Sequence, residues 1–372
     1  MIARTPATTT TPATPRKWTL LLYSAADNDL KEYHLQNVAD LERVGSDSHT
    51  SLVAQVDFGD RSSRYLIEKA ARPDPDNIQT PPLETRGPLN MSDPKNLTDF
   101  LTWGIKNYPA EHYMVIISDH GEGWRGAMQD DSHEGWMSIP DLRRAFEAAQ
   151  EKTATKIDIV GFDACSMAST EVAHELKDVC DFVIGSEDYE GSSGWPYSRI
   201  FNPAMVGRLR KMHSWAVTVE PRTLAVECVR HAAGNPEELP TMSAIETAKV
   251  PALTASLDAL GKAILADPSA AAAVGEHADA SLPFDTFHDA GDFVGRLAED
   301  EDLPEGIRGA ADEVLGALDH AVIAQTHAPV NEGATGLTLE ASTHGIPERY
   351  ADTRFARETS WPEALHVLQQ DA

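Results

Sequence analysis

Two runs decide the fold of this chain, Tyr113-Met-Val-Ile-Ile-Ser-Asp-His120-Gly121-Glu-Gly-Trp124 and Ile157-Asp-Ile-Val-Gly-Phe-Asp163-Ala164-Cys165-Ser-Met167. Each is a short β-branched stretch, too brief for a helix, that stops at a polar group followed by small residues. A buried parallel strand delivers side chains to its C-terminal edge in this way. Between them, Ser138 to Lys152 has helical spacing behind a Ser/Pro/Asp start. Strand, helix, strand makes a crossover unit. Such crossovers are right-handed and set the two strands side by side or one apart, so both C-terminal ends open on one rim. His120 and Cys165 are therefore predicted to meet. A thiol beside an imidazole suits nucleophilic acyl transfer, because only the thiolate attacks and a nearby base enlarges its population.

Working outward, strands are predicted near Thr19 to Ser24, Leu52 to Val56, Tyr65 to Glu68, Met114 to Ser118, Ile157 to Gly161 and Phe182 to Gly185. They alternate with helical stretches near Leu30 to Val44, Asn96 to Asn107, Ser138 to Lys152 and Ala168 to Asp178. That rhythm is an α/β, doubly wound sheet with its site at the strand C-termini. Beyond Gly194 the pattern turns mainly helical, with an alanine-rich helix over Ala252 to Ala280 and a late strand at Gly336 to Glu340. The expected division is a Thr/Pro-rich disordered tail over 1–16, a catalytic domain over 17–245 and a mainly helical region over 246–372.

Of the three cysteines, Cys180 opens an apolar run and Cys228 lies in a helix-like stretch, so both read as small core residues. Cys165 differs, since it follows a strand and precedes a plausible helix whose N-terminal dipole would stabilise a thiolate. Zinc is the competing chemistry, yet no Cys-x-x-Cys or His-x-x-x-His spacing surrounds these positions. No metal or cofactor is expected. Calcium is considered at Asp27-Asn-Asp29 and Asp130-Asp131, but neither has the ligand spacing of a calcium loop.

In 372 residues, 59 acidic side chains outnumber 31 basic ones for a formal net charge of −28. Such a surface repels nucleic acid and anionic membrane and steers cationic peptides inward, although adaptation to salty surroundings explains the acidity equally well. No stretch of about 18 apolar residues exists to span a bilayer. The tract Met1 to Pro15 lacks the apolar core of a secretory peptide, and three cysteines make no disulfide framework. Cytoplasmic residence is the expectation.

The chain resembles the clostripain family of cysteine endopeptidases, within the wider group of caspase-like and gingipain-like proteases. The residues that carry the likeness are Trp18-Thr-Leu-Leu-Leu-Tyr-Ser-Ala-Ala-Asp-Asn-Asp29, Gln55-Val-Asp57, Asn90-Met-Ser-Asp-Pro94, Asp119-His120-Gly121-Glu-Gly-Trp124, Asp163-Ala-Cys165-Ser-Met167, Ser186-Glu187-Asp188 and Gly194-Trp195-Pro-Tyr197. Further signals are Thr241-Met-Ser-Ala-Ile245 and Asp289-Ala-Gly-Asp-Phe293, so the resemblance covers roughly residues 17 to 340.

It implies a caspase-like, mostly parallel sheet flanked by helices, with His120 and Cys165 as the catalytic pair. The amides of Gly121 and Cys165 would form the oxyanion hole. Asp163 corresponds to a residue lining the pocket for a substrate arginine or lysine. Alternation along the strand agrees, because a residue two before Cys165 points to the same side, while a carboxylate that merely caps nearby amides is the other reading. Family members commonly carry Pro-Gly-Asp-Gly-Trp where this chain has Glu190-Gly191-Ser192-Ser193-Gly194-Trp195. Ser193 thus reduces the charge aimed at a basic side chain, and Glu187, Asp188 or Glu190 stand by to compensate.

The likeness further implies a zymogen cut in the polar segment Arg125 to Trp136, with Arg125 suited to self-cleavage and an upstream protease as the alternative. A proteolytic signalling or defence cascade is the conceivable setting, with protein or peptide substrates bearing basic residues. Two readings of other classes are a catalytically idle scaffold of the same fold and a cysteine hydrolase of a non-peptide amide.

Overall fold

The computed structural model describes residues 15–201, 219–232 and 236–369. The tail expected over 1–16 falls almost wholly outside the described residues.

The strands are β1 (Arg16–Ala25), β2 (Thr50–Asp57), β3 (Ser62–Leu66), β4 (Glu84–Arg86), β5 (Ala110–Ser118), β6 (Ala127–Asp130), β7 (Gly135–Met137), β8 (Ile159–Asp163), β9 (Phe182–Gly185), β10 (Thr241–Glu246), β11 (Pro283–Phe284), β12 (Phe287–Asp289), β13 (Val322–His327) and β14 (Thr338–Leu339). The helices are α1 (Lys31–Val44), α2 (Pro94–Asn107), α3 (Ile139–Thr153), α4 (Thr170–Leu176), α5 (Tyr197–Ile200), α6 (Pro221–Ala232), α7 (Val250–Ala266), α8 (Ala271–Ala280), α9 (Ala290–Glu299), α10 (Glu305–Ala321), α11 (Arg354–Glu358) and α12 (Trp361–Leu368).

Among the described residues, nine strands form one sheet in the order β13-β10-β9-β8-β5-β1-β2-β3-β4. The five in the middle, β9 to β2, run parallel, and antiparallel strands close both edges. The apolar runs follow from this. A central parallel strand is covered on both faces and must be apolar at every position. In β1, Leu21, Tyr23 and Ala25 enter one core with α2 and α3, while Trp18, Leu20 and Leu22 enter the other with α1 and α6. The period of two sorts them.

Several expectations need correction. Ala252 to Ala280 is two helices, α7 and α8, because Asp267 and Pro268 interrupt it. The late strand at Thr338 and Leu339 belongs to a separate three-stranded sheet with β11 and β12. The polar stretch after His120 is no open loop but the hairpin β6–β7. Its strands are too short and polar to show a period in sequence.

One apolar cluster joins Leu21, Ile117 and Phe162 of the central strands to Leu257, Phe293 and Trp361 of the later helices. Trp361 is fully buried, and its indole N–H donates to the Glu340 carbonyl at 2.8 Å. Trp361→Ala is expected to cost about 3–5 kcal/mol. Because the cluster is continuous, thermal melting should lower one transition common to fluorescence and circular dichroism. Separate transitions for the two halves would contradict a shared core.

Candidate active site

β5 and β8 pair in parallel with Ser118 opposite Asp163. Two residues past that pair stand His120 and Cys165, and the Asp119 N–H donates to the Asp163 carbonyl at 3.2 Å, which keeps the chains together to the rim. Both side chains line one cleft of about 220 Å³, shared with Asp29, His34, Asp163 and Glu190. A Cβ on Gly121 would stand 2.4 Å from the Cys165 carbonyl oxygen, so a side chain there would force the two turns apart. Among the described residues, the N–H groups of Gly121 and Cys165 have no acceptor.

Ser166 has φ +61°, which turns the chain sharply after Cys165. The helix expected to support the thiol starts only at Thr170, capped by the Ser169 hydroxyl. A helix dipole fades within its first turn, so the expected support of a thiolate is corrected. Glu190 holds the sulfur instead. Its N–H donates to Cys165 Sγ at 3.3 Å, and its carbonyl oxygen lies 3.7 Å from the thiol. Burial pushes the Cys165 thiol up to about 11, and the nearby Glu190, Asp163 and Asp188 carboxylates add to the rise while the Glu190 amide opposes it.

His120 Nε2 pairs with Asp29 Oδ1 at 2.8 Å, and this bond to the imidazole holds the Asp29 carboxyl below its usual range. Nothing in the sequence separated Asp29 from a solvated turn, since its partner lies 91 positions away. Behind them, buried His34 bonds Ser24 Oγ at 2.7 Å, and burial lowers its pKa to about 3, so it stays neutral.

Asp163 is both a cleft residue and a capping carboxylate. It lines the cleft. Its Oδ1 also accepts the Trp195 N–H at 2.9 Å, and its Oδ2 accepts Tyr197 Oη at 2.6 Å and Ser118 Oγ at 3.1 Å. Burial raises its pKa against those bonds. Gly194, at φ +59°, lets the 190–195 loop pass close over this carboxylate. Glu190 joins Asp163 in the cleft.

Three other expected pocket residues are corrected. Ser193 lines a different cavity beside Asp40 and Trp195, and its N–H donates to Glu238. Glu187 is buried with Oε2 on the Gly336 N–H. Asp188 bonds Asn331 and the Tyr189 N–H. In a loop that winds rather than alternates, sequence neighbours point apart.

Arg125 is corrected as well. Its side chain is only 16% exposed, lies over the Trp124 and Phe287 rings, and binds Thr286 Oγ1 and Glu340. A protease cannot reach it there. The exposed residues between His120 and Cys165 include the hairpin tip Asp131, Ser132, His133 and Glu134. Of the acidic turns, Asp27, Asp130 and His133 converge, but Asp130 spends its oxygens on the Met91 N–H and on His133, and Asp27 takes the Ser132 N–H. These bonds brace the hairpin against the turn after β1 and the segment before α2. Asp119 accepts from Asn28 Nδ2 at 2.6 Å.

The sequence model of the clostripain family matches residues 22–287. The chain belongs to the clostripain family. This is a family of cysteine-type endopeptidases, and the resemblance and the α/β, mostly parallel fold class read from the sequence both stand. Clostripain from Hathewaya histolytica is 28% identical over 226 residues, covering 52% of this chain and 43% of that protein. The chain thus spans less than half the length of that curated relative. A secreted C11 cysteine protease from Bacteroides thetaiotaomicron, solved with an irreversible peptide inhibitor, superposes with a TM-score of 0.69 at 21% identity, over 94% of this chain and 99% of that one. An inactive zymogen C11 protease from Parabacteroides distasonis gives a TM-score of 0.71 at 21% identity, over 93% and 99%.

Cytoplasmic residence does not survive this comparison, because the Bacteroides protein is secreted. The expectation failed on a physical point. A chain with a core this large needs no disulfides in any compartment, so free Cys165, Cys180 and Cys228 carry no address.

In the substrate-free protein, alkylation of Cys165 by iodoacetamide should be slow at neutral pH and climb toward a midpoint near 11. Cys180 and Cys228 are buried and should stay silent in the native state. A rate already maximal at pH 7 would mean that the thiolate exists before substrate arrives.

Proposed function

We propose that this clostripain-family protein is a cysteine endopeptidase in which Cys165 is the nucleophile, His120 the general base and acid, and arginine or lysine the residue before the scissile bond. The observation that carries the reading is the shared cleft at the ends of β5 and β8, where His120, Cys165 and the acidic Asp163 and Glu190 meet. Asp29 accepts at His120 Nε2, which leaves Nδ1 of a neutral imidazole as the acceptor for the thiol proton. With the thiol protonated at rest, that transfer accompanies attack on the carbonyl carbon. The unpaired amides of Gly121 and Cys165 would then bind the oxyanion. His120 next gives the proton to the leaving amine, and water releases the acyl-enzyme.

Activation by cleavage between His120 and Cys165 is kept as part of the proposal, moved to the hairpin tip at 131–134. The tip carries no arginine or lysine, which favours an upstream protease over self-cleavage. Action outside the cell, on peptides drawn in by the acidic surface, fits the secreted relative.

The test compares fluorogenic peptides ending in arginine, lysine or aspartate, before and after limited nicking of the tip. Arginine and lysine should be cut and aspartate not. Cys165→Ala and His120→Ala should each lose about 10⁴-fold or more in kcat. Undiminished cleavage by Cys165→Ala, or cleavage after aspartate alone, would end this reading.

A further inference from the structure

Among the described residues lining the cleft beside Cys165, three buried polar atoms have no hydrogen-bond partner, His34 Nε2, Asp119 Oδ2 and Glu190 Oε2, and of these three residues Glu190 is the one bonded to the sulfur. Asp163 spends both oxygens on Trp195, Tyr197 and Ser118. Glu190 differs. Its Oε1 receives only a long bond, 3.4 Å, from the Trp195 indole, its Oε2 is shut off from solvent with no donor facing it, and its carboxyl group stands within hydrogen-bond reach of Asp163. A buried carboxyl oxygen without a donor is a standing cost, and one that lines a cleft is placed to be met by a ligand's donor. Ser193, where relatives have an aspartate, faces another cavity and cannot serve.

We infer that Glu190 is the specificity-determining residue of this protease, presenting Oε2 to the guanidinium of the substrate residue before the scissile bond, with Asp163 as its fixed partner. The inference rests on the cysteine-endopeptidase reading above. Two carboxyl groups at the base of one cleft match the planar, forked donors of arginine better than the point charge of lysine, so arginine should be preferred.

The same residue also touches the nucleophile. The Glu190 backbone brackets Cys165 Sγ, and its carboxyl group stands among the charges that oppose a thiolate. The titratable groups around Glu190 are Asp163 at the end of β8, Tyr197 of α5 through Asp163, Cys165, Asp188 and Tyr189 on its own loop, Glu238 against Gly191 and Ser193, and Asp29, Tyr33, His34, Asp119 and His120 across the cleft. Burial and the neighbouring Asp163 hold Glu190 well above its ordinary range, so the pair keeps a proton that a guanidinium must displace into solvent. KM for an arginine peptide should therefore fall as pH rises, while KM for an uncharged peptide should not follow.

The experiment measures kcat and KM for matched peptides ending in arginine, lysine and citrulline, the uncharged analogue of arginine. Glu190→Gln should lower the arginine-to-citrulline ratio of kcat/KM by about 10- to 100-fold, chiefly through KM, and flatten the pH dependence of KM. Glu190→Asp should restore part of the ratio. Ser193→Asp in the wild-type background should leave it where it was. An unchanged ratio in Glu190→Gln overturns the inference and leaves the preference for basic residues intact. A wild type that does not distinguish arginine from citrulline removes the basic preference itself. Equal loss on all peptides, or a ratio raised by Ser193→Asp, also overturns the role given to Glu190. Should Glu190→Gln cut nothing, Cys165 labelling decides. Iodoacetamide should still react, and the advantage of an arginyl chloromethylketone over it should shrink. An advantage equal to that of the wild type would refute the inference.

Discussion

The parallel pairing of β5 with β8 is the constraint on which the molecule's chemistry depends. With Ser118 facing Asp163, the next two residues of each strand carry an imidazole and a thiol to one place on the rim. A slip of one residue would turn one of them to the opposite face of the sheet. The pairing is secured by core that continues well past the catalytic region. Val115, Ile117, Val160 and Phe162 lie in one apolar cluster with helices α7, α9 and α12. The later, mainly helical part therefore steadies the strand ends that present the site.

A tension runs through that rim. Burial and the surrounding carboxyl groups both oppose ionisation of the sulfur, and no helix terminus compensates. The free protein thus holds a protonated thiol and a histidine paired with exposed Asp29. Burial is the largest cause of that neutrality, and the carboxylates add to it.

Much of this was legible in the chain. β1, β5, β8 and β9 announce themselves because central parallel strands must be apolar throughout, and the crossover rule then brings His120 to Cys165. Edge strands were less legible. β4 and β13, like the β6–β7 hairpin, are covered on fewer sides and need no run of apolar residues. Arg125 misled for a related reason. Its polar neighbourhood reads as a surface loop, yet Trp124, Phe287 and Glu340 from distant parts of the chain enclose it. Among the acids of the 187–193 loop, composition offers three candidates and no ranking, and the turn at Gly194 makes the choice.

By itself, the sequence determined which residues end the two central strands, and with them the pair of side chains able to share a site, because strand period and crossover handedness are local rules. Only the tertiary structure decided which acid faces the sulfur, what holds the histidine, and where the loops are closed. Those outcomes depend on contacts such as Asp29 with His120 and Glu190 with Cys165, 91 and 25 positions apart. No local pattern encodes a distance across that much chain; the packed core does.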